Sequence, residues 1–215
     1  MIPLQWRMAA DFLELHPITP QKRFLQQAAE VVRNGGVIAY PTDSCYALGC
    51  RLDDRDAAER LRRIRQFDKH HQFTLVCRDL SEIARWAKVD NWQFRLLKQL
   101  TPGPYTFILP ASKELPKRLS HEKRKTIGIR IPQHGVAQSL LELLDEPLIS
   151  CTLQFPDQDE PVSLPADAEH ALRHSVDLVL DAGDCGTLPT TVLDLSGEGP
   201  ELVRQGKGDV SMLGL

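Results

Sequence analysis

The sequence predicts an α/β fold: a single domain with a twisted, open sheet of mixed strand direction and helices packed against it. Three observations support this prediction. Segments with helical hydrophobic spacing alternate with short apolar runs typical of buried strands, the C-terminal part carries several strands, and no repeat or flexible linker divides the 215 residues. A chain of this length can bury one substantial core.

The first half of the chain alternates helices with strands. A helix is predicted after Thr19 and Pro20, which supply a cap and a first-turn proline, and it ends at Gly35. Asp53 or Asp54 caps the next helix, which carries apolar residues on one side. The other elements predicted here are strands at residues 12–15, 37–42 and 73–77, and a helix capped by Asp90 that ends at residue 100.

The second half is richer in strands. Its predicted elements are strands at residues 105–109, 126–131, 147–153, 176–181, 191–195 and 201–204, and helices at residues 136–144 and 166–174. Residues 155–165 are predicted to form a long acidic loop. We assign the domain to residues 12–215 and residues 1–11 to an N-terminal extension. Met8 is an alternative start to Met1, and residues 1–7 are predicted to be dispensable for folding.

The composition is that of an ordinary globular protein, with 42% hydrophobic residues and a net charge of −3. No apolar run approaches the length of a transmembrane helix, and the N-terminus lacks the features of a signal peptide, so we expect no membrane association and a cytoplasmic location. The five cysteines include no Cys-x-x-Cys pair, which argues against a disulfide framework and against a protein-held metal.

Positive charge is concentrated in one segment. Residues 113–130 contain seven basic and two acidic residues, whereas residues 157–169 contain five acids and no base. A basic patch on an acidic protein indicates a local anionic ligand. From charge alone, a solvated surface is an equally good interpretation.

Small hydroxyl residues, glycines and cations recur at the ends of apolar strands. Ligands of open α/β sheets bind at strand ends, and hydroxyls, backbone N–H groups and arginines are the donors that a phosphate or carboxylate needs. We therefore predict an anion-binding pocket. The segments concerned are residues 42–44, 101–104, 125–130, 151–154, 189–192 and 203–206.

Two other polar features have more than one interpretation. Asp43 is the acid inside these segments, and it could hold Mg²⁺, orient an amine or only cap a turn. His70 and His71 lack the spacing of a zinc-binding helix, and we predict that they lie on a loop surface.

The ordered motifs of this chain resemble the YrdC/YciO family, and in particular its YciO branch. The family's opening motif matches residues 41–49, which read PTDSCYALG. Four further motifs match residues 101–106, 126–132, 189–192 and 203–206, so the resemblance extends from about residue 12 to the C-terminus.

The resemblance implies a YrdC-like fold with a concave, positively charged cavity. It also implies an L-threonylcarbamoyladenylate synthase, a nucleotidyltransferase that makes threonylcarbamoyl-AMP and pyrophosphate from L-threonine, bicarbonate and ATP with Mg²⁺. That reaction begins the N6-threonylcarbamoyl modification of adenosine 37 in tRNA. Binding of tRNA or double-stranded RNA is a further property that the resemblance implies.

The resemblance assigns roles to individual residues. Thr42, Arg65 and Arg130 are the expected catalytic residues. The expected substrate- and nucleotide-binding residues are Thr42, Asp43, Tyr46, Arg65, Thr126, Arg130, Thr152, Gln154, Thr190 and Arg204. For RNA binding we expect Lys117, Arg118, Lys123, Arg124 and Lys125.

Two motifs depart from the family pattern. The family's Lys-x-Arg falls on residues 65–67, so Arg65 replaces the lysine and Phe67 stands where the arginine would be. The Ser-x-Asn motif falls on residues 152–154, where Thr152 and Gln154 keep a hydroxyl and an amide with a different reach. Arginine is not equivalent to lysine, and a lost cation weakens a phosphate clamp. We therefore hold two hypotheses: a synthase with weakened or altered activity, or an RNA-binding module without it.

Overall fold

The computed structural model describes residues 9–68 and 71–215 of the chain. The predictions for Met1, Met8, residues 1–7 and His70 fall outside the described residues. Ala10 is buried, and its backbone N–H donates to the carbonyl of Arg173 at 2.9 Å. Ordered contacts of the domain therefore include residues before 12.

A sheet of ten strands runs through the described part of the chain. The strand order is β1-β8-β2-β3-β7-β4-β6-β5-β9-β10, with both parallel and antiparallel neighbours, so the predicted mixed α/β fold is confirmed. The strands are β1 (Asp11–Glu14), β2 (Ile38–Tyr40), β3 (Ala47–Arg51), β4 (Thr74–Val76), β5 (Tyr105–Pro110), β6 (Thr126–Arg130), β7 (Leu148–Thr152), β8 (Leu178–Asp181), β9 (Thr191–Asp194) and β10 (Glu201–Arg204).

Six α-helices pack against this sheet in the described residues. They are α1 (Lys22–Arg33), α2 (Arg55–Arg65), α3 (Leu80–Trp86), α4 (Asn91–Leu100), α5 (Gly135–Leu144) and α6 (Glu169–Ser175). None of them has both the length and the apolarity that crossing a membrane requires.

Side-chain hydrogen bonds near the N-termini of α2 and α1 show where these two helices begin. Asp54 accepts a hydrogen bond from the backbone N–H of Ala57 at 2.8 Å, so the predicted cap of α2 is present. The start of α1 differs from the prediction, because Thr19 donates to the imidazole of His16 in a preceding turn and α1 begins at Lys22.

Strand β3 and helix α3 were missing from the prediction. Strand β3 has little of the β-branched character that marks a strand. It contains Gly49 because the ring of Tyr40 lies across it, and a Cβ at this position would approach the ring to 2.8 Å. The Tyr40 hydroxyl thereby reaches Ser150 at 2.8 Å, which ties β2 to β7 across β3.

The two faces of the sheet are covered differently. On the first face, α2, α3, α4 and α6 bury apolar side chains such as Leu61 and Leu97 against strand residues such as Ile129. On the second face, α1 and α5 bury Leu25 and Leu140 over β8, β2 and β3. Helices α1 and α5 reach only the near ends of β7 and β4. The rest of the second face carries the candidate site.

Candidate functional site

A cavity of about 620 Å³ lies on the second face of the sheet, beside the region that α1 and α5 cover. Its floor consists of alternate residues of adjacent strands, which share one face because strand side chains alternate. Direct pairing of Thr74 with Gly128 and Ser150 confirms that these three lie on the same face. The floor residues are Thr74, Val76, Thr106, Ile108, Thr126, Gly128, Arg130, Ser150, Thr152 and Val192.

Gly128 at the centre of the floor leaves space that a side chain could occupy. A Cβ built there would lie 3.5 Å from Thr106 Cγ2 and 3.6 Å from Thr74 Oγ1, which are ordinary contacts. The volume above Gly128 is therefore available to a ligand. Hydroxyl groups surround it on three neighbouring strands, where apolar side chains would otherwise fill a core.

In the part of the chain that the structure describes, four arginines line the cavity: Arg65, Arg124, Arg130 and Arg204. The acids that face it in the described part of the chain are Asp159 and Glu160. The cavity is therefore positively charged, as the resemblance implies, and its donors match those that bind phosphate or carboxylate.

Arg130 is buried and held by an ion pair. Its Nη2 donates to Asp43 Oδ1, and its Nη1 donates to Ser44 Oγ at 3.3 Å. Asp43 Oδ2 accepts the backbone N–H of Gln133 at 2.9 Å, so both carboxylate oxygens are engaged. Asp43 does not line the cavity, and its partners are an arginine and a backbone amide. The Nε of Arg130 is buried without a hydrogen-bond partner among the described residues.

Thr42 and Tyr46 mainly shape the loop between β2 and β3. Thr42 Oγ1 donates to the carbonyl of Cys45 at 2.7 Å and accepts the backbone N–H of Ser44 at 3.2 Å. Thr42 does not line the cavity, whereas the residues that it positions, Ser44 and Cys45, do. Tyr46 lines the cavity, but its hydroxyl donates to the carbonyl of Gly183 at 2.8 Å, away from β3.

Arg65 belongs to one of the two altered motifs and Gln154 to the other, and these two residues contact each other. Arg65 Nη1 donates to the Gln154 carbonyl, and its Nη2 lies 3.4 Å from Gln154 Oε1. Burial lowers the pKa of Arg65, and its Nε has no hydrogen-bond partner among the described residues. Thr152 also lines this wall.

Thr190 and Arg204 form the opposite side of the cavity. Thr190 Oγ1 lies 2.9 Å from Thr106 Oγ1, which joins the segment before β9 to β5. Arg204 Nη2 donates to the carbonyl of Thr190 at 2.9 Å. Both residues of the C-terminal motifs therefore meet at the cavity, as does Thr126.

Among the described residues, three aromatic rings line the wall formed by the segment between α2 and β4. The ring of Phe67 stacks on His71 with a centroid distance of 3.4 Å, and His71 meets Phe73 edge-on at 6.1 Å. His71 lies on the loop between α2 and β4, as predicted, but the predicted surface position was wrong, because its ring is half-buried and lines the cavity. Burial, followed by Arg62 and Arg65, lowers the pKa of His71.

The expected RNA-binding residues separate into two groups. Lys117, Lys123 and Lys125 are exposed. Arg118 donates to the carbonyl of Leu52 at 2.7 Å, and Arg124 lines the cavity. The basic segment, residues 113–130, thus contributes Arg124 and Arg130 to the cavity and several cations to the surface.

The cysteines of this region are buried thiols. Burial raises the pKa of Cys45, and it raises the pKa of Cys151 to about 12, so both stay protonated at neutral pH. No cluster of three or more His, Cys, Asp or Glu side chains that could hold a metal occurs in residues 9–68 and 71–215. The thiols therefore add neither a nucleophile nor a metal ligand set.

Several cavity residues were missing from the sequence prediction. Thr74, Thr106 and Ser150 lie within strands and outside the segments that were predicted to form the pocket. Polar or small residues at alternate positions of otherwise apolar strands were the signal that could have identified them.

Comparison with known proteins supports the resemblance found in the sequence. The Sua5/YciO/YrdC family model, described as telomere recombination, matches residues 30–206. The uncharacterized protein YciO of Escherichia coli K12 is 52% identical over 201 residues, covering 94% of this chain and 98% of that protein. A threonylcarbamoyl-AMP synthase of Chromobacterium violaceum is 38% identical over 135 residues, covering 62% of this chain and 69% of that enzyme.

Solved structures share the fold. The crystal structure of E. coli YciO superposes with a TM-score of 0.90, covering 94% of this chain and 98% of that chain. Sua5 of P. abyssi, solved with L-threonine, superposes with a TM-score of 0.86 at 21% identity, covering 94% of this chain and 59% of that one. At this identity the likeness shows the fold alone. The chain belongs to the Sua5/YciO/YrdC family.

Proposed function

We propose that the cavity binds ATP together with a small carboxylic substrate and acts as a threonylcarbamoyl-AMP synthase. The observation that carries this proposal is the meeting of Arg124, Arg130 and Arg204 around a floor of hydroxyl groups. Guanidinium and hydroxyl groups are donors suited to binding a triphosphate. The cavity volume of about 620 Å³ falls in the range of small-molecule sites.

The family relationship supports the same reaction. A relative 38% identical in sequence is named threonylcarbamoyl-AMP synthase, and a structural neighbour was solved with L-threonine. By analogy, the substrates here are ATP, L-threonine and bicarbonate. A cytoplasmic location, where these compounds and tRNA are available, is part of the proposal.

The chemistry requires positioning more than covalent catalysis. A carbamate oxygen of N-carboxythreonine attacks the α-phosphorus of ATP, the bond to the bridging oxygen breaks, and pyrophosphate leaves with the electron pair. The arginines hold both anions close together and stabilise charge on the phosphates. Mg²⁺ carried by ATP would neutralise the triphosphate.

The altered motifs lead us to expect a slow reaction. Arg65 donates to Gln154, and Phe67 supplies no charge where the family has arginine. Removing one charge-stabilising donor from such a site typically lowers the rate by about 10²- to 10³-fold.

Pyrophosphate release from the purified protein tests the proposal. We expect release to need ATP, threonine, bicarbonate and Mg²⁺ together, and to fall about a hundredfold in Arg204→Ala. Arg95→Ala is the matched control, because Arg95 is exposed on α4 and does not line the cavity. Pyrophosphate release that does not depend on threonine, or that is equal in the Arg204 and Arg95 variants, would contradict the proposal.

RNA binding is a second candidate function, favoured by the exposed lysines beside the cavity. Lys117, Lys123 and Lys125 face solvent, and Arg124 links them to the cavity. Binding of tRNA or double-stranded RNA through these residues would weaken steeply with salt. A filter-binding titration of tRNA, compared with Lys123→Ala and Lys125→Ala, tests it; binding that does not depend on salt would exclude this mode.

A further inference from the structure

A turn formed by residues 121–125 brings a histidine and an arginine to the cavity. His121 and Arg124 both line it. Backbone hydrogen bonds close the turn, because the N–H of Lys125 donates to the carbonyl of His121 at 2.9 Å and the N–H of His121 donates to the carbonyl of Thr126 at 2.7 Å. The two side chains are therefore carried on a turn that is ordered before a ligand binds, which lowers the entropy cost of binding.

The hydrogen bonds of His121 determine which of its ring nitrogens carries a proton. Nδ1 accepts the backbone N–H of Lys123 at 3.2 Å and that of Arg124 at 3.1 Å. Nδ1 therefore carries no proton, and the proton of the neutral ring lies on Nε2. Nε2 is on the far side of the ring from these backbone groups and has no hydrogen-bond partner among the described residues. His121 thus offers the cavity an N–H donor.

Arg124 is the cavity arginine with the weakest contacts in the described part of the chain. Its Nη1 lies 3.5 Å from Asp194 Oδ2, at the limit of a hydrogen bond, and its side chain is 60% exposed. Asp194 Oδ1 accepts the backbone N–H of Ser196 at 2.9 Å and its hydroxyl at 2.6 Å, so this carboxylate is partly engaged elsewhere. Arg130, by contrast, is held by the buried Asp43. Arg124 therefore keeps most of its N–H donors for a ligand.

Strand register brings Arg124 and Arg204 to the same stretch of β9. Asp194, the partner of Arg124, is two residues from Val192, which pairs with Arg204 on β10. Alternate residues of a strand share one face, so Val192 and Asp194 both lie on the cavity side, about 7 Å apart. Strands β5 and β9 separate Arg130 on β6 from β10, a backbone distance of roughly 14 Å. Two guanidinium groups therefore meet at the β9 end of the cavity, away from Arg130.

We propose that His121 and Arg124 form, with Arg204, the subsite for the pyrophosphate portion of the nucleotide. The inference rests on the proposed function and specifies which end of the cavity holds the leaving group. Two cations and a fixed N–H donor suit a group with several negative charges better than a single carboxylate. His121 Nε2 donates to a phosphate oxygen, and the guanidinium groups stabilise the charge that gathers on pyrophosphate as it leaves. The cation that the family motif has at position 67 is thereby replaced by Arg124, from a different part of the chain.

Calorimetric titration with pyrophosphate, ATP and AMP, each with Mg²⁺, tests the role of Arg124. AMP carries the base and the α-phosphate without the pyrophosphate. We expect Arg124→Ala to weaken pyrophosphate and ATP at least tenfold and to leave AMP unchanged. Lys113→Ala is the matched control, because it removes one charge from an exposed side chain of the same basic segment that does not line the cavity. Equal weakening of pyrophosphate by the two variants would overturn the inference, as would equal weakening of AMP and pyrophosphate by Arg124→Ala.

Two replacements of His121 separate the roles of its ring nitrogens. His121→Asn places an oxygen near the position of Nδ1 and keeps the turn, but it lacks the Nε2 donor. It should weaken pyrophosphate roughly tenfold with an unchanged thermal unfolding temperature. His121→Gln places an amide N–H near the position of Nε2 and lacks the Nδ1 acceptor, so it should bind pyrophosphate more tightly than His121→Asn and unfold at a lower temperature. Wild-type affinity in His121→Asn, or no tighter binding in His121→Gln, would overturn the role of Nε2.

Failure of this inference and failure of the proposed function give different results. Threonine-dependent pyrophosphate release that is unchanged in Arg124→Ala and His121→Asn overturns the subsite and leaves the synthase. Pyrophosphate binding that depends on both residues, without threonine-dependent release, overturns the synthase and leaves the subsite. A wild-type protein with no affinity for pyrophosphate overturns the subsite, whether or not it binds ATP.

Discussion

Arg65 and Gln154 stand 89 positions apart in the sequence and join the two altered motifs in one contact. Gln154 also binds the loop that follows β7, because its Nε2 donates to the carbonyls of Gln158 at 2.9 Å and Asp159 at 3.1 Å. The two departures from the family pattern are therefore coupled. Together they fix the acidic loop that follows β7 against the cavity wall.

Replacing Gln154 should release this loop. Gln154→Leu removes two hydrogen bonds to the loop, worth about 1 kcal/mol each, so hydrogen exchange across residues 155–160 should become about 30-fold faster. The matched control is Gln158→Ala, which changes an exposed side chain of the same loop. Equal protection in wild type and Gln154→Leu would show that other contacts hold the loop.

Filling the space above Gly128 should separate ligand binding from stability. A Cβ there meets only ordinary contacts, so Gly128→Ala should fold normally and gain about 0.5–1 kcal/mol from the loss of glycine. The larger Gly128→Val should reduce ATP affinity at least tenfold, because its methyl groups occupy the cavity floor. Gly197→Val, at a position with open surroundings, is the control. Calorimetry and thermal unfolding measure the two effects, and unchanged affinity in Gly128→Val would place the ligand elsewhere.

The buried ion pair between Asp43 and Arg130 should contribute strongly to stability. Both side chains are about nine-tenths buried, so Asp43→Ala leaves an uncompensated charge and should cost about 3–5 kcal/mol in the free energy of unfolding. Asp53→Ala breaks a more exposed pair with Arg51 and should cost less than about 1 kcal/mol.

Urea denaturation measures both values. The double variant Asp43→Ala, Arg130→Leu should recover part of the loss, because no buried charge remains. A small effect of Asp43→Ala would mean that water reaches Arg130.

Stability should fall below neutral pH through His134. Its Nδ1 accepts the backbone N–H of Val136 at 3.2 Å at the start of α5, and burial lowers its pKa in the folded state. As pH falls below about 6.5, the unfolded chain takes up a proton first, so stability is complete above that pH and is lost toward the lower folded-state pKa.

His134→Asn removes the titrating ring and keeps a capping acceptor. It should match wild type at pH 7.5 and lose less stability between pH 6.5 and 5, as measured by urea denaturation at each pH. A residual slope is expected from His71, whose pKa is also lowered. His170→Asn, an exposed site on α6, is the control, and an unchanged slope in His134→Asn would contradict the assignment.

The sequence predicted local features better than contacts between distant residues. The caps Asp54 and Asp90 follow from short-range chemistry, and the structure contains both. Strand β3 escaped prediction because its small residues serve the packing of Tyr40, which only the assembled sheet shows. A packing requirement between two strands leaves no recognisable pattern in the sequence of either strand alone.

The candidate site shows the same division. The cavity brings together Arg130, Thr190 and Arg204 from separate motifs, as the resemblance implied. Thr42 and Asp43 do not line the cavity. The Thr42 hydroxyl donates to the carbonyl of Cys45, and the Asp43 carboxylate pairs with Arg130. The roles of these residues in binding and catalysis stay predictions.

The half-covered sheet has an evolutionary consequence. Alternate residues of the same strands face opposite sides of the sheet. Leu75 and Ile129 pack in the core, while their neighbours Thr74 and Gly128 face the cavity. Substitutions that change the ligand can therefore accumulate at the cavity positions without lowering the stability of the protein below the threshold that function requires. Members of this family can drift in chemistry while their backbones remain superposable.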